Sequence, residues 1–416
     1  MYLSTRSQPF VSGPAGTYRL QIAERVADLN EDDWDSLRAD TGNLFMDRRF
    51  VEAVENSRPG GGKLWSVLVY EADRPVAAAC LSLLNVDAGL VAGGRTKRAI
   101  ALIRRLFPDF LRFNVLFCGL PVSASQAHLL FSPDADRRQV LRLLDRQMQT
   151  LARKHRAGLL VFKEFAPEAC ADLVELAPLS YLKLETTVVS YLECEFADMD
   201  EYCTSLRSQY RRKIFRSQRK FAAAGLRLEV LGGGKATAAR YTDEVHQLYE
   251  SVVERSKTKL ETLPAEFFRE LARQFPQEFY LILASRGEQV VGFGCGLRMP
   301  IGEPMFIGFE RGQKERGDVY LNLMYSLLAE VLSHGVRGIC WGATADDFKA
   351  SLGCEQRPYY AFVRATNWLQ RALPLMARFL FPPLPLDEPL HVFHTQKADP
   401  VSHGPTGDSG VAAASS

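Results

Sequence analysis

Between residues 207 and 220 the sequence carries Arg207, Arg211, Arg212, Lys213, Arg216, Arg219 and Lys220, and no acidic residue. Positive charges without counter-charges attract a polyanion: coenzyme phosphates, a nucleotide-linked donor, RNA or anionic lipid. A solvated charged face is the alternative. A second stretch holds Arg311, Gly312, Gln313, Lys314, Arg316 and Gly317 ahead of an apolar run. Before a helix, such a stretch can bind phosphate, because free N–H groups and the helix dipole both favour anions. Otherwise it is a polar connector. Tyr359 and Tyr360 follow Pro358 at the head of the run "AFVRA". A tyrosine there can donate a proton to a leaving group; aromatic packing is the competing reading. No G-x-S-x-G elbow, Walker loop, H-E-x-x-H or G-x-G-x-x-G is present. The seven histidines show no metal-ligand spacing, so no metal is expected.

These residues need elements to hold them, and the sequence supplies the same set twice. "WSVLVYEADRPVAAACLSLL" (65–84) and "FYLILASRGEQVVGFGCGLR" (279–298) align without a gap. Each is an apolar strand, a polar turn (71–74; 285–288) and a second apolar strand, which is a β-hairpin. A short amphipathic segment precedes each: "LFMDRRFVEAVENS" and "LPAEFFRELARQF". Downstream, 137–162 and 319–342 each read as a helix running into a buried strand, with Val319, Leu323, Leu327 and Val331 at spacing four. A short helix after Gly342, capped by Thr344, and a strand from Pro358 complete the second set.

The repeat predicts an α/β (α+β) chain with units at 18–189 and 190–366. Residues 1–17 are expected to be a flexible tail, 367–397 an apolar extension and 398–416 a disordered tail. Asn367 to Leu386 is apolar and aromatic apart from Arg371 and Arg378. It reads as a helix packed on the core and broken by Pro382 and Pro383, with a membrane surface as the alternative. The 416 residues suit two or three domains. Hydrophobic residues at 47% and charged residues at 24% exclude a largely disordered chain. A net charge of +2 argues against a protein coated in nucleic acid, and no stable nucleic-acid complex is expected. Eight cysteines without C-x-x-C pairing, most in apolar runs, read as core residues in a reducing compartment. With no secretory signal and no uncharged apolar run of membrane length, the expected location is cytoplasmic, with the inner membrane face as a peripheral option.

The order of pieces resembles the GNAT acyltransferase fold. It is carried by "SLRSQYRRKIFRSQRKF", "VVGFGCGL", "GDVYLNLMYSLLAEVLSHGVRGICWG", "FKASLG" and "PYYAFV". More narrowly, it resembles the branch of Fem-type peptidoglycan aminoacyltransferases, which hold two GNAT-like units in tandem, each a mixed, mostly antiparallel sheet flanked by helices. The resemblance covers 199–365 strongly and 18–189 more weakly.

The resemblance implies an N-acyltransferase moving an acyl group from acyl-CoA or acetyl-CoA, as co-substrate, to an amine. Its alternatives are a Fem-type enzyme taking aminoacyl-tRNA to a cell-wall or polysaccharide precursor, and a non-catalytic binding protein of this fold. The GNAT pyrophosphate loop has the pattern Q/R-x-x-G-x-G/A; "RGQKERGD" keeps Arg311 and Gly317 but not the spacing. Under the resemblance, Glu310 is the candidate base and Tyr359 or Tyr325 the acid for the leaving group. Arg311, Gly312, Gln313, Gly317 and Asn322 would hold the donor, Asn322 through its pantetheine arm. Lys349 is assigned to substrate or phosphate. Arg211, Arg212 and Arg216 would meet an anionic donor or a lipid surface. The acceptor is a small molecule or a cell-wall precursor.

Overall fold

The structure is a computed structural model. It describes residues 11–12, 18–39, 41–87, 100, 102–107, 110–122, 126–255, 262–310, 317–343, 346–366 and 390–394.

The first half runs β1 (Val11–Ser12), β2 (Tyr18–Ala23), α1 (Glu31–Arg38), α2 (Arg48–Ser57), β3 (Lys63–Glu71), β4 (Arg74–Asp87), β5 (Arg112–Cys118), β6 (Leu129–Phe131), α3 (Arg137–His155), β7 (Ala157–Phe165) and β8 (Leu182–Glu193). The second runs α4 (Met199–Ser205), α5 (Ser208–Ala223), β9 (Leu226–Gly232), α6 (Lys235–Arg240), α7 (Asp243–Arg255), α8 (Ala265–Gln274), β10 (Phe279–Arg286), β11 (Gln289–Leu297), β12 (Ile301–Phe309), α9 (Val319–Leu332), β13 (Gly338–Cys340), α10 (Asp346–Ala350) and β14 (Glu355–Ala365). Both expected hairpins form: Glu71 pairs with Arg74, and Arg286 with Gln289. β1 lies inside the expected flexible tail, yet Val11 pairs with Leu20.

All strands join one sheet in the order β1-β2-β3-β4-β5-β7-β14-β8-β13-β12-β11-β10-β9, with β6 beside β4. Pairing is antiparallel except for one parallel pair in each half, β5 with β7 and β12 with β13. The halves trade their last strands: β14 lies against β7 of the first half, and β8 against β13 of the second. The boundary expected between Val189 and Ser190 therefore falls inside β8. The chain crosses from one half to the other within a strand, not in a linker.

The amphipathic segments ahead of the two hairpins become α2 and α8, and they pack on each other. Asp47 caps α2 by accepting from Arg49 N–H at 2.9 Å. The apolar stripe of Phe50, Val51 and Val54 meets Phe267, Phe268 and Leu271 of α8, with the Phe50 and Phe267 rings edge to face at 6.1 Å. Arg49 reaches Glu278 at 2.9 Å, and Asn56 donates to Glu270 at 3.1 Å. One apolar core thus draws on both halves. All eight cysteines are free, and seven are buried.

Glu55 on α2 sits badly in that core, at 5% exposed. Its Oε1 accepts from Val26 N–H at 2.8 Å, but Oε2 is buried with no hydrogen-bond partner among the described residues. Burial outweighs the Val26 bond and pushes the carboxyl up from 4.5 to about 7. A carboxyl raised in the fold favours its protonated form. The stability it contributes is fully present below 4.5 and is lost as pH rises through about 7. Glu55→Gln is expected to raise the unfolding free energy by roughly 2–3 kcal/mol at pH 8 and to change it little at pH 4, measured by urea denaturation.

Among the described residues no helix is long and apolar enough to cross a membrane. Residues 390–394 dock on the junction of α4 and α5: Arg207 N–H donates to Val392 at 2.9 Å, and Phe393 lies 5.4 Å from Phe196. The helix expected over 367–386, the cap at Thr344 and the tail 398–416 lie outside the described residues.

Candidate active site

β12 and β13 pair at only two positions, Ile301 with Gly338 and Gly302 with Ile339. Beyond them the strands part. β13 turns to β8, where Trp341 N–H donates to Ser190 and Ser190 N–H to Gly342. β12 stays with β11 but gains a residue: Cys295 pairs with Phe306 and Gly296 with Pro304, which leaves Met305 as a bulge. The bulge sets which side chains face which side. Gly302 backs onto α9, since a Cβ there would strike Val331. Glu303 therefore faces away from α9. Past the bulge the order flips. Gly308 backs onto α7, where a Cβ would meet the Tyr249 nitrogen at 2.6 Å, and Phe309 turns to the α9 side.

The α9 side is aromatic. Phe309 lies 5.6 Å from Tyr320, Tyr320 5.6 Å from Phe348 on α10, and Phe348 5.7 Å from Tyr325. Burial pushes the Tyr325 phenol up to about 12, with the charges of Asp318 and Cys203 adding to it. Trp341 is buried here, and its indole N–H has no acceptor among the described residues.

The opposite side carries the polar groups. Glu303 is 5% exposed, and its Oε1 accepts from Gln126 Nε2 at 3.0 Å. Gln126 belongs to the first half and also accepts from Leu44 N–H at 3.2 Å. Glu303 and Cys340, each one step past the last β12–β13 pair, share this face. Cys340 pairs with Tyr191, and Tyr191 with Glu355, so Arg357 and Tyr359 follow on the same face of β14. The Arg357 guanidinium covers the Tyr191 ring at 3.9 Å. Burial first, then the charges of Cys340 and Glu303, push the Tyr359 phenol above its ordinary range. It keeps its proton near neutral pH, as an acid must.

The structure brings Tyr359 to this place, but neither Glu310, the expected base, nor Tyr325, the alternative acid. Tyr325 lies on the other side of the sheet. Glu310 sits just past the end of β12, where it accepts from Gln289 Nε2 at 2.9 Å. Seven residues of strand separate it from Glu303, about 20 Å at the rise of an extended chain.

The expected donor contacts also differ. Asn322 is 3% exposed, and its amide donates to the Ser217 carbonyl, the Ser217 hydroxyl and the Asp318 carbonyl at 2.9–3.2 Å. It ties α9 to α5, in place of the pantetheine contact expected of it. Gly317 is needed for packing, since a Cβ there would meet Leu226 at 2.7 Å. Asp318 stands at the N-cap of α9, and its carboxylate pairs with Lys220 at 2.6 Å. Lys349, expected on substrate or phosphate, is 4% exposed and donates to the carbonyls of Trp341 and Gly342 at 2.7 and 2.9 Å. It holds the end of β13 where the strand leaves β12. Arg311, Gly312 and Gln313 lie outside the described residues.

The basic run forms α5. Ile214, Ser217 and Phe221 face inward, Arg211 is half-buried, and Arg212 and Arg216 are exposed. Apart from Lys220, none of the seven basic residues forms an ion pair among the described residues.

Glu303 and Gln126 were not singled out in the sequence. Glu303 had a signal, as the lone carboxylate in the apolar strand "IGEPMFIGF". Gln126 had none, because its role comes from a contact 177 residues away. No three or more of His, Cys, Asp and Glu are grouped to hold a metal ion among the described residues.

Residues 106–306 match the FemAB-like family model, described as peptidoglycan biosynthesis/recognition. No curated protein matches the chain significantly. Among solved structures, FemX is 10% identical, with 80% of this chain and 96% of FemX covered at a TM-score of 0.50. L-PGS from Bacillus licheniformis is 11% identical, with 84% and 97% covered at 0.50. A tandem GNAT protein from the clavulanic acid biosynthesis pathway is 16% identical, with 84% and 99% covered at 0.49. The chain has the tandem GNAT fold, and its residues 106–306 match the FemAB-like family model.

Proposed function

We propose that this protein transfers an aminoacyl group from an activated ester, such as aminoacyl-tRNA, to an amine on a cell-wall or polysaccharide precursor. The observation that carries the reading is the pairing of a buried carboxylate, Glu303, with a proton-bearing phenol, Tyr359, on one face where β12 and β13 part. The amine nitrogen attacks the ester carbonyl, and Glu303 takes one amine proton. The carbon–oxygen ester bond breaks, and the leaving oxygen takes the Tyr359 proton. Tyr359 recovers a proton from Glu303 through water. An amide and a free hydroxyl result, and the protein is unchanged.

The choice of donor rests on the start of α9. The Asp318 carboxylate at the N-cap of α9, held by Lys220 and not capping the helix, places a negative charge where a pyrophosphate would approach, which weakens anion binding there. Asn322, already bonded to Ser217, supports the same choice. Arg211, Arg212 and Arg216 on α5 supply a brief, salt-sensitive contact for the tRNA backbone. Such a donor is found in the cytoplasm, which fits the location expected from the sequence. Transfer from acyl-CoA is the second reading, favoured by the same unpaired arginines, which suit coenzyme phosphates as well.

Radiolabelled aminoacyl-tRNA and radiolabelled acetyl-CoA, each offered with a muropeptide precursor, separate the two. Label reaching the precursor from tRNA alone is expected. Label arriving from acetyl-CoA alone overturns the donor, and transfer from neither overturns the reading.

A further inference from the structure

Nine large hydrophobic side chains stand exposed among the described residues, and five of them lie between residues 102 and 110. Leu102 is 63% exposed, Leu106 80% and Phe107 66%, with Ile103 and Phe110 at 38% each. Scattered exposed apolar residues are ordinary, but a run of this density marks an interaction surface.

The run has an ordered base. It joins β4 to β5, and Ile100 is buried beneath it. Backbone bonds from Arg104 to Ile100, Leu106 to Ile103 and Phe107 to Ile103, at 2.9–3.0 Å, give it helical turns. Arg104 folds inward: its guanidinium grips Asp87 at 2.8 Å and donates to the Phe110 carbonyl at 2.9 Å. The usual surface pattern is reversed, with the charged side chain toward the protein and the leucines and phenylalanine toward solvent. Arg105 is exposed, and Arg112, also exposed, lies 3.4 Å from the same Asp87. Among the described residues, Arg104 and Arg112 share the Asp87 carboxylate, and the exposed Arg105 adds a third positive charge.

We propose that this tip enters the interface of a bilayer containing anionic phospholipid. Leu102, Leu106 and Phe107 enter at the level where acyl chains begin, and Arg105 and Arg112 meet the phosphates. An apolar tip with exposed Arg105 and Arg112 beside it fits such a surface better than a protein groove, which would leave the arginines to be paired one by one. The inference stands apart from the transfer reading, because it uses none of the residues placed in that site.

The test is sedimentation of the full chain with vesicles of phosphatidylcholine alone or mixed with phosphatidylglycerol. Binding to the mixed vesicles is expected, weakened by salt. The double variant Leu106→Glu, Phe107→Glu should bind at least tenfold less while melting at the wild-type temperature. Phe107→Trp should show a blue shift of its emission on the mixed vesicles, and lipids brominated along the acyl chain should quench it. Wild-type binding that survives the double variant overturns the proposal, as does binding abolished instead by Arg212→Glu with Arg216→Glu. A dimer in light scattering that the double variant splits, with vesicle binding unchanged, assigns the tip to a protein contact and also overturns it.

Discussion

Glu303→Gln is expected to lower turnover by about a hundred- to ten-thousand-fold, the usual range for losing a positioned general base. The change is nearly isosteric and keeps an oxygen for the Gln126 amide, so the link between the halves persists. Thermal melting should therefore stay near the wild-type value while the rate collapses. Glu310→Gln is the matched control. Glu310 lies outside the cluster, bonded to Gln289, and its replacement should leave the rate within about twofold. Initial rates of amide formation, with the donor that proves active, check both. If the two results were exchanged, the base would sit at the end of β12 and the site would have to be redrawn around the start of α9. Unchanged turnover in Glu303→Gln would by itself refute the assigned role.

The second large effect is on stability. Asp145 on α3 is 3% exposed and accepts from three partners: the Tyr181 hydroxyl at 2.9 Å, the Arg364 guanidinium at 2.9 and 3.0 Å, and Gln149 Nε2 at 2.7 Å. Arg364 lies on β14, so this carboxylate fastens the traded strand to the first half. Asp145→Ala removes every one of those bonds and leaves a guanidinium and a phenol without their acceptor. A loss of roughly 3 kcal/mol is expected, the lower end for breaking a buried pair because Arg364 keeps partial contact with water. Burial and the Asp145 charge together hold the Tyr181 phenol far above its ordinary range, so it stays a donor throughout the neutral range. Asp145→Asn keeps an acceptor oxygen and should cost about half as much. Urea denaturation of both variants tests this, and an alanine variant as stable as wild type would show that β14 is held by its ladder alone.

Much of the architecture was legible from local pattern. The hairpin turns at Ala72–Asp73 and Gly287–Glu288 fall inside the stretches marked by polar residues between apolar runs. The helix-to-strand passages at 137–165 and 319–340 follow from four-residue spacing giving way to a continuous apolar run. The traded strands were not legible. "PYYAFVRA" has the same composition whether it lies beside β13 or beside β7, and only the register of Phe362 against Phe162 decides. The site was partly legible. Tyr359 was marked as lying where a strand emerges, but β14 begins earlier, at Glu355, so Tyr359 stands inside the strand. Glu303 was missed because the side it faces depends on one extra residue at Met305, and that bulge is visible only in the pairing with β11. Asn322 and Lys349 misled for another reason. Both were assigned through the resemblance, and a family position looks the same in sequence whether the side chain meets a ligand or a backbone carbonyl.

The traded strands also bear on how the chain is made. β14 ends at Ala365 and leaves the ribosome about two hundred residues after its neighbour β7. At roughly 5–20 residues per second, that interval is on the order of ten to forty seconds. Throughout it the first half has an apolar edge, "GLLVF", with no strand to cover it on one side. The nascent chain therefore needs a holding partner or a temporary pairing until its far end arrives. Two separately expressed halves would each lack a strand. A chain of this kind could not readily be divided into two independent proteins.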